Sequence, residues 1–275
     1  MLTDSVVLSL YFETPLHTSA SGAPGAIDLP IQRERTTQWP MVHASEVRES
    51  LRKALGATAD ALFGGADAEA ALSLGDARLL LFPVRCSVAP FVWITCPAVL
   101  ARLRRDLERT VGIALPALPA VGNDDILVSS AWSHGTDAFA IEDVVLTPKS
   151  GLEAAALLDL LPAPSGAYEG FAREVDASLG VVSDEVFGFL VRSATELAPV
   201  PGRNGSQLFE EMVPPDALFY VPVSNLGAQG KGSKKQSATQ QLEKALPTHL
   251  QVGDAVQLGR GWARTALLKA KGGNA

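Results

Sequence analysis

The stretch HTSASGAPGAIDLPIQRERTTQWPMVHASEVRESLR, residues 17–52, decides how this chain is read. It joins a loop of small residues, one isolated carboxylate at Asp28, and a helix candidate carrying two arginines four residues apart. The helix is expected after Trp39-Pro40, with Ser45 as N-cap and Val47, Leu51 and Leu55 recurring at helical spacing until Gly56. Arg48 and Arg52 then share a neighbouring face. Upstream, SVVLSLYF (5–12) is β-rich and mostly apolar, as a buried strand is, so the loop leaves the end of a first strand. A glycine-bearing loop and paired guanidinium groups suit gripping a phosphate backbone, because unencumbered N–H groups and charge-assisted bonds both favour its oxygens.

Further along, 77–84 and 91–95 read as strands, and Pro97 opens a helix carrying Val99, Leu103, Leu107 and Val111 at helical spacing. Strands are expected at 126–131, 139–146 and 217–223, and helices at 151–161 and 183–196. Strands and helices that alternate with long insertions indicate an α+β fold. LQVGDAVQLGRGWARTALL (250–268) is strand-like but broken by glycines. GAQGKGSKKQSAT (227–239) has three lysines and almost no apolar residue, which predicts a mobile loop, either solvated or ordered by RNA. No internal repeat is present.

With 275 residues, 47 % of them hydrophobic, the chain can bury a full core, which excludes disorder of the whole. No apolar run approaches the ~18 residues of a membrane span, and MLTDSVVLSL lacks a basic leader region and cleavage site. A cytoplasmic location without membrane contact is expected. Two cysteines and four scattered histidines give neither a disulfide framework nor zinc-ligand spacing.

A formal charge of −7 argues against a simple nucleic-acid binder, but the average hides polarity. Residues 122–196 hold thirteen acidic and three basic side chains, whereas 227–275 hold eight basic and two acidic. The basic tail could join Arg33, Arg35, Arg48, Arg52 and Lys53 in one positive face, leaving the acidic segment for partner proteins or for solvent.

GAPGAID (22–28) and GRG (259–261) lack the GxxxxGK[ST] and strand-GxGxxG-helix patterns, so they are either tight turns or close-approach points for phosphate. Asp28 is either a turn former or a hard ligand for Mg²⁺ or Mn²⁺, with substrate phosphates and water completing the shell. His17, across the same loop, could orient a ribose 2′-hydroxyl, or be a structural histidine at a strand end. Glu210 and Glu211 in SQLFEEMVPPD read as solvated charge in a loop-like stretch. No Ser-His-Asp or Cys-His spacing stands out.

Five stretches carry a resemblance: LHTSASGAPGAIDLPIQRERTTQWP (16–40), SEVRESLR (45–52), FPVRCSVAPFVWITCPAVLARLRRDL (82–107), LFEEMVPPDALFY (208–220) and LQVGDAVQLGRGWAR (250–264). Together, and over nearly the whole chain, they resemble the RAMP superfamily of CRISPR proteins, within it the repeated backbone (subunit four) group of type III-B Cmr complexes. IDLPIQRE and FVWITCP are the distinctive strings. The resemblance implies one domain over 1–275: a modified RRM (ferredoxin-like) palm with helical insertions and a β-hairpin thumb within 196–216. It implies a filament of copies along a guide crRNA, further Cmr subunits as partners, and cleavage of paired single-stranded target RNA at regular intervals. By match to the family motifs, Asp28 is expected to be the cleavage aspartate, and its carboxylate chemistry makes it the expected metal ligand. Ser45, Arg48 and Arg52 hold the guide backbone, and Gly259, Arg260 and Gly261 form a loop near it. The alternatives are a non-catalytic RNA-binding scaffold of the same kind of complex, and a free-standing nuclease that processes guide precursors.

Overall fold

A computed structural model describes residues 4–20, 27–65, 69–117, 119–202, 206–227 and 237–270. Gly22, Pro24 and Gly25 of the small-residue loop, and the three lysines within 228–236, lie outside the described residues. The first half runs β1 (Val6–Phe12), β2 (Met41–Val42), α1 (Ala44–Leu55), α2 (Thr58–Phe63), β3 (Leu72–Leu74), β4 (Ala77–Val84), β5 (Val92–Thr95), α3 (Pro97–Thr110) and β6 (Asp125–Val128). The second runs β7 (Phe139–Ile141), β8 (Val144–Ser150), α4 (Ala155–Leu158), α5 (Phe171–Ser178), β9 (Leu179–Val181), α6 (Asp184–Ser193), β10 (Glu196–Pro201), β11 (Gln207–Met212), β12 (Leu218–Asn225), α7 (Ala238–Ala245), β13 (His249–Gln251) and β14 (Trp262–Lys269).

The class is α+β, as expected. One mixed sheet runs β13-β14-β1-β12-β4-β5-β9-β6-β8-β7, with β2 added to β4 and β3 to β12. Only β5–β9 and β6–β8 pair in parallel. β1 is buried at every residue because β12 and β14 flank it and both its faces are covered. Phe12 meets Phe219 edge-on at 5.5 Å, and Tyr11 meets Phe171 of α5 at 4.8 Å. α3 buries Val99, Leu100, Leu103 and Leu107 against the sheet. It also offers Asp106, whose Oδ2 accepts from Arg78 at 2.5 Å and from Tyr220 at 3.0 Å, tying α3 to β4 and β12.

Local signals explain most element ends, and tertiary contacts explain the departures. α1 buries Val47, Leu51 and Leu55 and stops at Gly56 with φ 55°, as the spacing predicts. Its start differs: the cap position is His43, not Ser45, and the Asp76 carboxylate accepts the Ala44 N–H at 2.8 Å. A carboxylate from a distant turn fills the orphan-donor site that a local hydroxyl was expected to fill. The strand expected at 139–146 is a hairpin, β7–β8, turning at Glu142 with φ 47°. The helix expected over 151–161 shrinks to α4, and the segment expected to be loose over 227–239 already enters α7. There Ser237 and Gln240 form a capping box, and Ala238 and Thr239 are buried.

β10 and β11 form a separate antiparallel hairpin in the segment for which the resemblance implies a thumb. No helix among the described residues is long and apolar enough to cross a membrane.

Candidate functional site

Beyond β1 the chain passes through 16–20, and residues 29–33 lie alongside that stretch. Gln32 N–H donates to Thr18 O at 2.9 Å and Ala20 N–H to Pro30 O at 3.1 Å, closing the base of the loop. β11 lies along the returning limb: Leu29 N–H donates to Phe209 O at 3.1 Å, and Glu211 N–H to Leu29 O at 2.9 Å. Asp28 is thereby set beside the middle of the hairpin, where Phe209 pairs with Pro199. It is solvent-exposed, and its Oδ2 accepts the Phe209 N–H at 2.9 Å. Oδ1 has no hydrogen-bond partner among the described residues.

Beneath Asp28 lie the two residues that the sequence presents as surface charge. Glu210 and Glu211 are on a strand and buried, at 5 % and 2 % exposure. Adjacent strand residues face opposite ways, so each needs its own partner. Glu211 Oε1 pairs with Arg33 Nη2 at 2.5 Å and accepts from Thr195 Oγ1 at 2.9 Å, while Oε2 accepts the Ile31 N–H at 3.1 Å. Glu210 pairs with the Arg260 guanidinium, and its Oε1 lies 3.6 Å from His17 Nε2. Burying two carboxylates is tolerable only with such compensation. The signal available in sequence was the apolar Leu208, Phe209, Met212 and Val213 around them, which marks a strand; nothing local names the cations.

His17 is buried at 2 % exposure with its Nδ1 bonded to Glu211 O at 2.7 Å, and it stands between the loop and β11. The C-terminal loop packs against the same limb. Asp254 N–H donates to His17 O at 2.8 Å, and Gly261 N–H to Pro15 O at 2.9 Å. Gly261 has φ 73°, and a side chain there would collide with the Val252 carbonyl, so glycine is required for this close approach. Gly259, at φ 77°, has open space around it.

Asp28, His17 and Arg260 thus converge on β11, while Gly261 packs against Pro15 and Val252. Ser45, Arg48 and Arg52 form a second cluster on α1. Ser45 is exposed in the first turn. Arg48 donates to Phe63 O; Arg52 donates to Gly64 O at 2.6 Å and pairs with Asp60. Both arginines therefore lock the carbonyl end of α2, where the helix dipole favours cations. Of the cations expected to form one positive face, Arg33 and Arg260 are instead held by buried carboxylates, because the loop needs them as counter-charges. α1 nonetheless borders the C-terminal segment: Ser50 and Lys53 share a cleft of about 330 Å³ with His249, Gln251 and Trp262.

Among the described residues no group of three or more His, Cys, Asp or Glu side chains is arranged around a metal ion. Asp28 can offer one hard oxygen, which suits Mg²⁺ where a substrate's phosphates supply the rest of the shell. Leu197 and Phe209 are exposed apolar side chains on the hairpin that no sequence signal singled out.

No protein-family model matches the chain. The Cmr4 endoribonuclease of the CRISPR system Cmr from Pyrococcus furiosus is 27 % identical over 288 aligned residues, covering 95 % of each chain. Oligomeric Cmr4 from Pyrococcus furiosus has the same fold, with a TM-score of 0.74 and 23 % identity over 98 % of this chain and 99 % of that one. A chain of the type III-B Cmr-beta complex bound to cognate target RNA superposes with a TM-score of 0.72 at 14 % identity, covering 97 % and 98 %. In sequence and in fold, and over nearly its whole length, the chain is similar to Cmr4 of the CRISPR system Cmr.

Proposed function

We propose that this chain is the crRNA-binding backbone subunit of a cytoplasmic type III-B Cmr ribonucleoprotein, and that each copy cleaves guide-complementary target RNA at Asp28. On this reading β14-β1-β12-β4 with α1 and α3 is the modified RRM palm, and the β10–β11 hairpin is the thumb. α1, with Ser45, Arg48 and Arg52, and the 259–261 loop follow the guide backbone, while further copies and other Cmr subunits complete the filament.

One observation carries the enzymatic part. Asp28 is an exposed carboxylate that accepts a backbone N–H from the middle of the β10–β11 hairpin, and the next two residues of that strand are carboxylates held in buried ion pairs. A scaffold that only binds RNA gains nothing from a negative charge held there, because it repels phosphate. A Mg²⁺ or Mn²⁺ ion held by Asp28 and RNA oxygens would supply Lewis-acid neutralisation of phosphate charge.

The chain's own residues do the positioning. Exposed Phe209 and Leu197 give the hairpin an apolar surface beside Asp28 against which a base can be turned out of the duplex. A target so bent brings its 2′-oxygen in line with the adjacent phosphorus. The new 2′-O–P bond replaces the P–O5′ bond; the 2′-hydroxyl proton leaves to solvent and the departing 5′-oxygen takes one up. Products are a 2′,3′-cyclic phosphate and a 5′-hydroxyl. His17, buried between loop and β11, holds the two together.

The test is Asp28→Ala in the reconstituted guide-bound complex. Intact assembly and target binding with no cutting is the expected result. Unchanged cutting would leave the scaffold reading in place, and cutting that survives EDTA would remove the metal.

A further inference from the structure

Gln32 lies four residues beyond Asp28, on the returning limb of its loop, and is buried at 5 % exposure. Its amide is fully engaged. Nε2 donates to Ser19 O at 3.1 Å and to the Glu46 carboxylate, and Oε1 accepts the His43 N–H at 2.9 Å. Only the NH₂ end can face a carboxylate and a carbonyl, and only the oxygen can face an N–H, so these partners also settle the orientation of the group.

The partners belong to different pieces of chain. Ser19 is on the limb leaving β1, Glu46 is in the first turn of α1, and His43 is the residue from which α1 starts. The Gln32 backbone adds to the same junction, donating to Thr18 O at 2.9 Å and accepting from Met41 N–H at 3.1 Å. Ser19 N–H in turn donates to Asp254 Oδ2 at 2.8 Å, which brings in the C-terminal loop. Glu46 Oε2 is buried without a hydrogen-bond partner among the described residues, so the carboxylate stands there at a desolvation cost. One side chain therefore buckles the two limbs of the loop and roots them on α1.

We infer that Gln32 is a positioning residue: it fixes the loop that carries Asp28 relative to α1, so that the RNA gripped along the helix and the carboxylate that acts on it keep one geometry. This rests on the function proposed above and deepens it. Misplacement by about 1 Å from a change remote from the chemistry can cost on the order of 100-fold in rate, and Gln32 touches no reacting atom.

The experiment measures single-turnover cleavage of a guide-complementary RNA, target affinity, and melting of the reconstituted complex. Gln32→Leu should cut roughly 10- to 100-fold more slowly while target affinity is retained. Gln32→Glu places a carboxylate against Ser19 O and Glu46 and should lose both rate and melting temperature. Adding Glu46→Gln to it restores a donor between positions 46 and 32, so melting should recover; Ser19 O still lacks its donor, so cleavage should stay slow. A purely structural glutamine would have rate and melting recover together, and that result overturns the assignment, as does wild-type cutting by Gln32→Leu. Should Gln32→Leu fail to assemble, the double variant decides. Asp28→Ala, run in parallel, separates the two levels: if it cuts normally, the proposed function falls and the Gln32 role with it. If it is inactive while Gln32→Leu cuts normally, the Gln32 role alone falls.

Discussion

Phe209 donates its backbone N–H to Asp28 Oδ2 across 2.9 Å, so the middle of the β10–β11 hairpin helps to decide where the exposed carboxylate stands. The hairpin is fixed in turn by the charged partners of the next two residues, Glu210 and Glu211. Binding surface and acidic group therefore rest on one strand, β11.

Asp28→Asn separates position from charge. The amide oxygen can still accept from Phe209, so unfolding free energy should stay within about 0.5 kcal/mol of wild type, as for most exposed substitutions. Cleavage should nevertheless be abolished, because a neutral amide is a poor ligand for a hard cation. Denaturant titration and a cleavage assay on the same preparation check both halves.

Arg33→Met removes the counter-charge of the buried Glu211 carboxylate. Breaking a buried pair from one side costs about 3 kcal/mol or more. The double variant Arg33→Met/Glu211→Gln should recover a large part of it, since a neutral amide no longer demands a cation. Urea unfolding of wild type, both single variants and the double gives the coupling.

Arg48→Glu with Arg52→Glu asks whether these arginines only lock α2 or also meet phosphate. If they meet RNA, affinity should fall and the slope of log K against log salt should flatten by roughly 0.7 to 0.9 per lost contact. Loss of melting temperature with an unchanged slope would mean that they serve Phe63, Gly64 and Asp60 alone.

Burial raises the Glu46 carboxyl above its ordinary value, with the nearby Asp254 charge adding to the rise and the Gln32 hydrogen bond opposing it. A raised folded-state value means that the protonated form is favoured on folding. That contribution is complete below the ordinary glutamate value of about 4.3 and is lost as pH climbs through the raised one. Glu46→Gln, which is never ionised, should therefore gain stability over wild type at pH 7.5, and the gain should shrink as pH falls to about 4.3. Unfolding measured at both pH values checks the sign.

Much of the fold was legible because its signals are local. The apolar run at 5–12, the spacing of Val47, Leu51 and Leu55, and Pro97 at the start of α3 each place an element to within a residue or two. The failures were also physical. Ser45 looks like a cap, but Asp76 from another turn takes that place; Glu142 bends what reads as one strand because it adopts a positive φ that no residue type there announces. At the site, Asp28 was readable as an isolated acid in a loop and Arg260 as a cation between glycines. Gln32, Phe209 and the buried state of Glu210 and Glu211 were not.

By itself the sequence determined periodicity, the order of strands and helices, and a loop whose residue types suit a polyanion, since backbone preference and amphipathic spacing are written over a few neighbouring positions. Tertiary structure alone decided which charges became surface and which became internal. Arg33 meets Glu211 across 178 residues of chain, and a carboxylate leaves water only where a distant fold element delivers its guanidinium.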